Sequence, residues 1–158
     1  MRRKEKEIKD KKEIELILHS APICRLGFVD GDVAYIVPMN FGYKDGSLYF
    51  HSAPSGRKID LLRSSTLVCF EVDISHKIVN TGVPCNWSSS YQSVIGYGKA
   101  SFIEDIQQKR EALNIIINHY SPGTLYDYPP KKVDEVAVIK IDIFQMSGKK
   151  SSVKEGET

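Results

Sequence analysis

Two Asp-Gly pairs, Asp30-Gly31 and Asp45-Gly46, punctuate the first third of this chain. Strand-like runs flank both: Arg25 to Val29 and Val33 to Val37 around the first, Phe41 to Lys44 and Ser47 to Phe50 around the second. Asp-Gly supplies the positive φ that a tight hairpin needs, so both are read as hairpins. Two successive hairpins predict a three-stranded antiparallel meander. Pro38 interrupts its middle strand, and proline has no N–H to give a ladder. The sheet is therefore expected to open or bend within Val37-Pro38-Met39-Asn40-Phe41. An opening leaves backbone groups with which a planar heterocycle can pair; an edge proline with no ligand is the alternative.

The rest of the chain fits the same class. Leu67 to Ser75 alternates, with Val68, Phe70, Val72 and Ile74 on one face, as a half-buried strand does. Tyr91 to Ile103 reads as a long strand bent at Gly96 and Gly98, and Val133 to Met146 as the last strand. Residues 76–90 and 123–132 read as loops. Helices are expected over residues 11–19, with Asp10 and Glu13 at capping-box spacing, and after Asp105, with Gln108 at the same spacing. Leu113, Ile116, Ile117 and Tyr120 form the apolar stripe of the latter. With a third helix starting at Ser55, six strands and three short helices predict a mainly β protein, a small antiparallel barrel with helices over its ends. Residues 1–150 make one domain, opening on a solvated charged lead-in. The tail is expected to fray from Ser147, with 151–158 flexible.

Composition removes several functions. Lys and Arg number 22 against 20 Asp and Glu, so no global field steers the chain to nucleic acid. Cys24, Cys69 and Cys85 have no CxxC spacing, which fits a reducing, cytoplasmic setting and no metal site. A His76–Cys85 metal site is disfavoured. No apolar run is long enough to span a membrane. Gly96-Tyr97-Gly98 lacks the third glycine of a dinucleotide fingerprint, and no nucleophile elbow is present.

The stretch from Leu48 to Leu62 carries the sharpest functional signal. It reads as strand, Ala-Pro-Ser-Gly turn and helix, with Ser55 as the expected N-cap. Arg57 and Lys58 fall in the first turn, where the dipole is already positive. Free N–H groups and two cations suggest a phosphate site; an exposed basic turn is the alternative. His51 directly precedes this turn. His19 and His119 lie near helix C-termini, where a cation complements the dipole, and are read as structural. Trp87 is the only tryptophan, and reads as a core plug, a lid or a ring contact to a heterocycle.

Longer motifs add a resemblance. They are Cys-Arg-Leu-Gly at 24–27, Val-Pro-Met-Asn-Phe-Gly-Tyr at 37–43, Leu-Tyr-Phe-His-Ser-Ala at 48–53 with Gly-Arg-Lys-Ile-Asp-Leu-Leu at 56–62, Val-Cys-Phe-Glu-Val-Asp at 68–73, Cys-Asn-Trp-Ser at 85–88, Tyr-Gln-Ser-Val-Ile-Gly-Tyr-Gly at 91–98 and Met-Ser-Gly-Lys-Lys at 146–150. In this order the chain resembles the pyridoxamine 5'-phosphate oxidase-related flavin-binding proteins, nearest the nitroimidazole-resistance (Nim) branch. The resemblance implies a six-stranded antiparallel split β-barrel with flanking short α-helices. It implies a homodimer holding a flavin nucleotide at its interface, FMN with FAD as the alternative. Arg57 and Lys58 then take the phosphate, in a turn that includes Ala53, Gly56 and Ile59. Met39, Asn40 and Phe41 line the ring beside Pro38. His51 and Ser52 lie between ring and phosphate, and His51 is the reactive-site candidate. Trp87, Tyr91 and Ser93 approach the flavin. Gln92 stands where relatives often carry a basic residue. The substrate-binding C-terminal segment of pyridoxamine 5'-phosphate oxidases has no counterpart, so vitamin B6 oxidation is not expected. The implied activity is reduction of nitro-aromatic or similar small acceptors by a flavin; a non-catalytic flavin-binding module is the alternative. No nucleic-acid or membrane partner is expected.

Overall fold

Both Asp-Gly hairpins form. In the computed structural model, β2 (Cys24–Asp30) and β3 (Val33–Met39) close around Gly31, at φ 61°. β4 (Phe41–Lys44) and β5 (Ser47–Ser52) close around Asp45 and Gly46, at φ 49° and 78°. Positive φ at both central residues of the second hairpin, and at Gly31 alone in the first, matches the right-handed twist of the flanking strands. The structure describes residues 3–80, 82–123 and 126–151. The expected flexible tail beyond Ser151 lies outside these residues.

The meander does not form. β3 and β4 are separated only by Asn40, yet they stand at opposite ends of one sheet, in the order β3-β2-β6-β7-β8-β5-β4. Pro38 has no N–H with which to extend the ladder, so the strand is divided: Met39 pairs with Cys24 on β2, and Phe41 with Phe50 on β5. The sheet curls until its two ends meet at Asn40, which is the split of the barrel. The remaining strands are β6 (Leu67–Val79), β7 (Ser88–Ile103) and β8 (Ala137–Ser151), with two-residue β1 (Glu7–Ile8) beside β8. The six expected strands are all present; dividing the middle one and adding β1 accounts for the eight. Every pairing is antiparallel.

Several boundaries differ from expectation. Val133 belongs to a short helix, α4 (Pro130–Asp134), and β8 begins only at Ala137. Residues 147–151 do not fray: they pair with β7, and Gly148 and Ser151 are buried. The charged lead-in is partly structured, because Ile8 pairs with Gly148 and is 3% exposed. Within the expected loop 76–90, Lys77–Val79 pair with Ser88–Ser90, so strand structure enters it from both ends. β6 passes a bulge between Ile74 and Lys77, with Ser75 at φ 58°, and continues to Val79. Apolar residues are too sparse in these segments for hydrophobic periodicity to mark them.

The inward faces of β2, β4, β5, β6 and β8 supply a core of Leu26, Phe41, Phe50, Phe70, Ile139 and Ile141. Gly96 and Gly98 occupy inward positions of β7 where a Cβ would collide with the Phe70 ring and with Ile141. α1 (Lys11–Ser20) and α2 (Arg57–Ser64) add Ile14, Ile17, Leu18, Ile59 and Leu62. Asp10 and Asp105 cap α1 and α3 (Ile106–Tyr120), accepting from the N–H groups of Lys12 and Gln108 at 2.9 Å each. Each cap contributes about 1 kcal/mol.

Candidate functional site

The divided strand sets one wall of the site. Pro38 and Asn40 are exposed, while Met39 and Phe41 point into the core. On the β4 side, the Phe41 N–H donates to the Tyr120 hydroxyl at 2.9 Å, and that hydroxyl donates to the Pro22 carbonyl at 3.0 Å. His119 packs its ring 4.5 Å from that of Phe41, and its Nε2–H donates to the Ala21 carbonyl at 2.7 Å. Burial pushes the pKa of His119 down, favouring the neutral ring. The structural reading of this histidine holds, but burial rather than the helix dipole sets its charge.

The second wall is the turn after β5. His51 and Ser52 lie on opposite faces of the strand: His51 is exposed, and Ser52 is 7% exposed. Ser52 Oγ is buried with no hydrogen-bond partner. An unmade bond of this kind costs about 1–3 kcal/mol. The N-cap of α2 is Gly56, not Ser55. Gly56 adopts φ 114°, which a side chain would strain, and its carbonyl accepts from the Ile59 and Asp60 N–H groups at 2.8 and 3.1 Å. The N–H groups of Arg57 and Lys58 therefore have no acceptor within the helix. Ala53 is exposed, and Ile59, fully buried, anchors the turn.

The two cations differ. Arg57 donates from Nε and Nη2 to Asp30 Oδ2, at 2.8 and 2.6 Å, and lies 4.4 Å from the centre of the Tyr35 ring. A guanidinium has five N–H donors, so this grip aims the group and leaves the Nη1 side available. Lys58 is half-buried and has no ion pair among the described residues. An orphan hydroxyl, two helix N–H groups and two cations fit a phosphate-bearing ligand.

Trp87, Tyr91 and Ser93 lie elsewhere within the chain. β7 is three places from β3 in the sheet. Ser93 pairs with Asp73 and Lys149, and Lys149 Nζ is 5.5 Å from the centre of the Tyr91 ring. Trp87 is 50% exposed beside the hairpin tip. Between this hairpin and the turn runs the outer sheet face, where Arg25 Nη1 bonds Glu71 at 3.0 Å and Asp73 at 2.5 Å. Ile36, Leu67, Ile95 and Tyr97 on this face are 46–63% exposed. A hollow of 350 Å³ is lined there by Ser93, Ile95, Tyr97, Met146 and Lys149. A larger cavity of 690 Å³ lies between α3 and the sheet, at Tyr49, Phe102 and Ile115, and contains none of the predicted site residues.

Sequence reasoning missed Asp30, Tyr35, His119 and Tyr120 as supports of the site. No local signal marks them, since each acts on a residue distant in the chain. Burial pushes the pKa of the Cys24 thiol up, which disfavours its thiolate. No group of three or more His, Cys, Asp or Glu among the described residues is arranged to hold a metal ion. No helix among them is long and apolar enough to cross a membrane.

Comparison with known proteins agrees with this fold. A candidate 5-nitroimidazole antibiotic resistance protein of Bacteroides thetaiotaomicron is 40% identical, with TM-score 0.81 over 90% of this chain and 85% of that one. The flavocytochrome Anf3 of Azotobacter vinelandii shares the fold at 22% identity, with TM-score 0.84 over 99% of this chain and 76% of its own. So does the FAD and heme binding protein of Mycobacterium smegmatis, at 18% identity, with TM-score 0.85 over 94% and 74%. No curated protein matches the chain significantly. The pyridoxamine 5'-phosphate oxidase family model matches residues 10–150. With the divided strand, the glycine-capped turn and the antiparallel split barrel in place, the chain belongs to the pyridoxamine 5'-phosphate oxidase family.

Proposed function

We propose that this chain binds a flavin nucleotide, FMN or FAD, as a homodimer and uses it to reduce nitro-aromatic or similar small acceptors. One observation carries the reading: the orphan Ser52 Oγ lies in the same strand–turn–helix as the unsatisfied N–H groups and cations of Arg57 and Lys58. The similarity to the Bacteroides resistance protein supports the acceptor class.

When bound, the flavin supplies the electron transfer. The protein binds and orients. Arg57, Lys58 and their N–H groups hold the phosphate, and Gly56 and Ala53 let the backbone come close. Ser52 Oγ gains the partner it lacks. The exposed backbone around Pro38 and Asn40 meets the ring, with Met39 and Phe41 buried behind it. His51, exposed beside the turn, gives the proton that the reduced acceptor takes up. Association through Ile36, Leu67, Ile95 and Tyr97 lets Trp87, Tyr91 and Ser93 approach from the second copy. The free thiols of Cys24, Cys69 and Cys85 suit a reducing cytoplasm.

The visible spectrum of the purified chain and the mass of what heat releases test flavin binding and separate FMN from FAD. Anaerobic stopped-flow tests turnover. Rapid reoxidation of the reduced protein by a nitroimidazole is expected. Failure with every acceptor in a panel replaces the enzyme with a non-catalytic flavin-binding module.

A further inference from the structure

The two flanks of Asn40 are held by different means. Met39 ends β3 in register with Cys24 on β2, where a neighbouring strand fixes the backbone. Phe41 opens β4 with its N–H given to a side chain, the Tyr120 hydroxyl, 79 residues away in sequence. That hydroxyl also donates to the Pro22 carbonyl, so both ends of the bridge are directional. The preceding residue, His119, takes hold of the neighbouring Ala21 carbonyl and packs 4.8 Å from the Tyr120 ring and 4.5 Å from that of Phe41. Two consecutive residues at the end of α3 thus grip the 21–22 segment and the start of β4 together.

From this we infer that Tyr120 is a positioning residue for the segment Met39–Phe41. Its hydroxyl replaces the ladder partner lost at the split and sets the backbone path against which the ring lies. The inference rests on the flavin reading above. Packing alone does not require the hydroxyl, because a phenylalanine would fill the same space. Tyr120 is 42% exposed, so its value lies in the bridge more than in apolar burial.

Three measurements on the full chain test this. FMN titrated into flavin-free protein, followed by fluorescence, is expected to bind about tenfold more weakly to Tyr120→Phe than to wild type, the loss typical of one hydrogen bond. The visible spectrum of the bound flavin shifts as well. Ile117→Val, which loosens the same helix end, lowers Tm but changes neither readout. Exchange of the Phe41 amide proton, read by NMR without flavin, is expected to be at least tenfold faster in Tyr120→Phe. Wild-type affinity and spectrum in the variant overturn the inference and leave the flavin reading standing. A wild type that takes up no FMN overturns both. Should Tyr120→Phe not fold, the Tyr120 ring-carbon resonance of the wild type decides. A larger shift on FMN uptake than that of Tyr128 supports the inference; no shift overturns it.

Discussion

The α2 turn and the β6–β7 hairpin carry the two halves of the proposed site, and they are built in opposite ways. The turn is fastened from several sides: Ile59 is buried in the core, Gly56 sets the backbone, and Asp30 with Tyr35 holds Arg57. The hairpin extends past the core with Ile78, Val83 and Trp87 each at least 50% exposed. A fastened turn can recognise an anion within one chain, because its donors are already aimed and little ordering cost remains. The exposed Ile78, Val83 and Trp87 of the hairpin, and Ile36, Leu67, Ile95 and Tyr97 of the sheet face, suit a second surface, which we propose is another copy of the chain. On the proposed reading, one chain presents a ready phosphate end and an unfinished ring end.

The largest expected effect tests the finished half. Arg57→Ala combined with Lys58→Ala removes both cations and should weaken FMN binding by about a hundredfold or more, so that the protein purifies colourless. Stoichiometric yellow flavin in that double variant would show that the phosphate does not lie at the turn. His51→Ala comes next. It should keep flavin but slow reoxidation by a nitroimidazole by about a hundredfold, as removal of a general acid does. An unchanged stopped-flow rate removes His51 from the reaction.

The unfinished half is tested by Tyr97→Glu. A carboxylate in the centre of the outer face should convert a dimer to monomer in light scattering and weaken FMN binding about tenfold, while Tm changes little. A variant that stays dimeric moves the interface to another face. The smallest effect concerns the support behind Phe41. Burial lowers the pKa of His119 in the folded state, so below the ordinary histidine value of 6.5 the unfolded chain binds more protons. Stability therefore rises with pH through this window and is lost as pH falls from about 7 toward the lowered folded value. His119→Gln should flatten Tm over that range; an equally steep profile means that another group is responsible.

Much of the fold is legible in local chemistry. Gly31 and Asp45-Gly46 lie in turns because those residues tolerate positive φ, whatever surrounds them. Asp10 and Asp105 cap helices through bonds spanning two and three residues. Val68, Phe70 and Val72 face inward, as their alternation requires. The cations at 57 and 58 are legible for the same reason, since a helix start is positive before any tertiary contact forms. The Ser55 cap is a local reading that failed. Gly56 reaches a φ closed to serine, and the chain enters the helix one residue later.

The chain alone determined where strands start and turn, that Pro38 would break one of them, and which helix start carries two adjacent cations. Those properties depend on neighbours a few residues apart. Only the tertiary structure decided that β3 and β4 close opposite ends of one sheet. It alone showed that Asp30 aims Arg57 from 27 residues away, that Tyr120 holds Phe41 from 79 residues away, and that Ser52 is buried without a partner. The physical reason is that a hydrogen bond needs its partner within about 3 Å, and for these groups barrel closure, not sequence proximity, sets that distance.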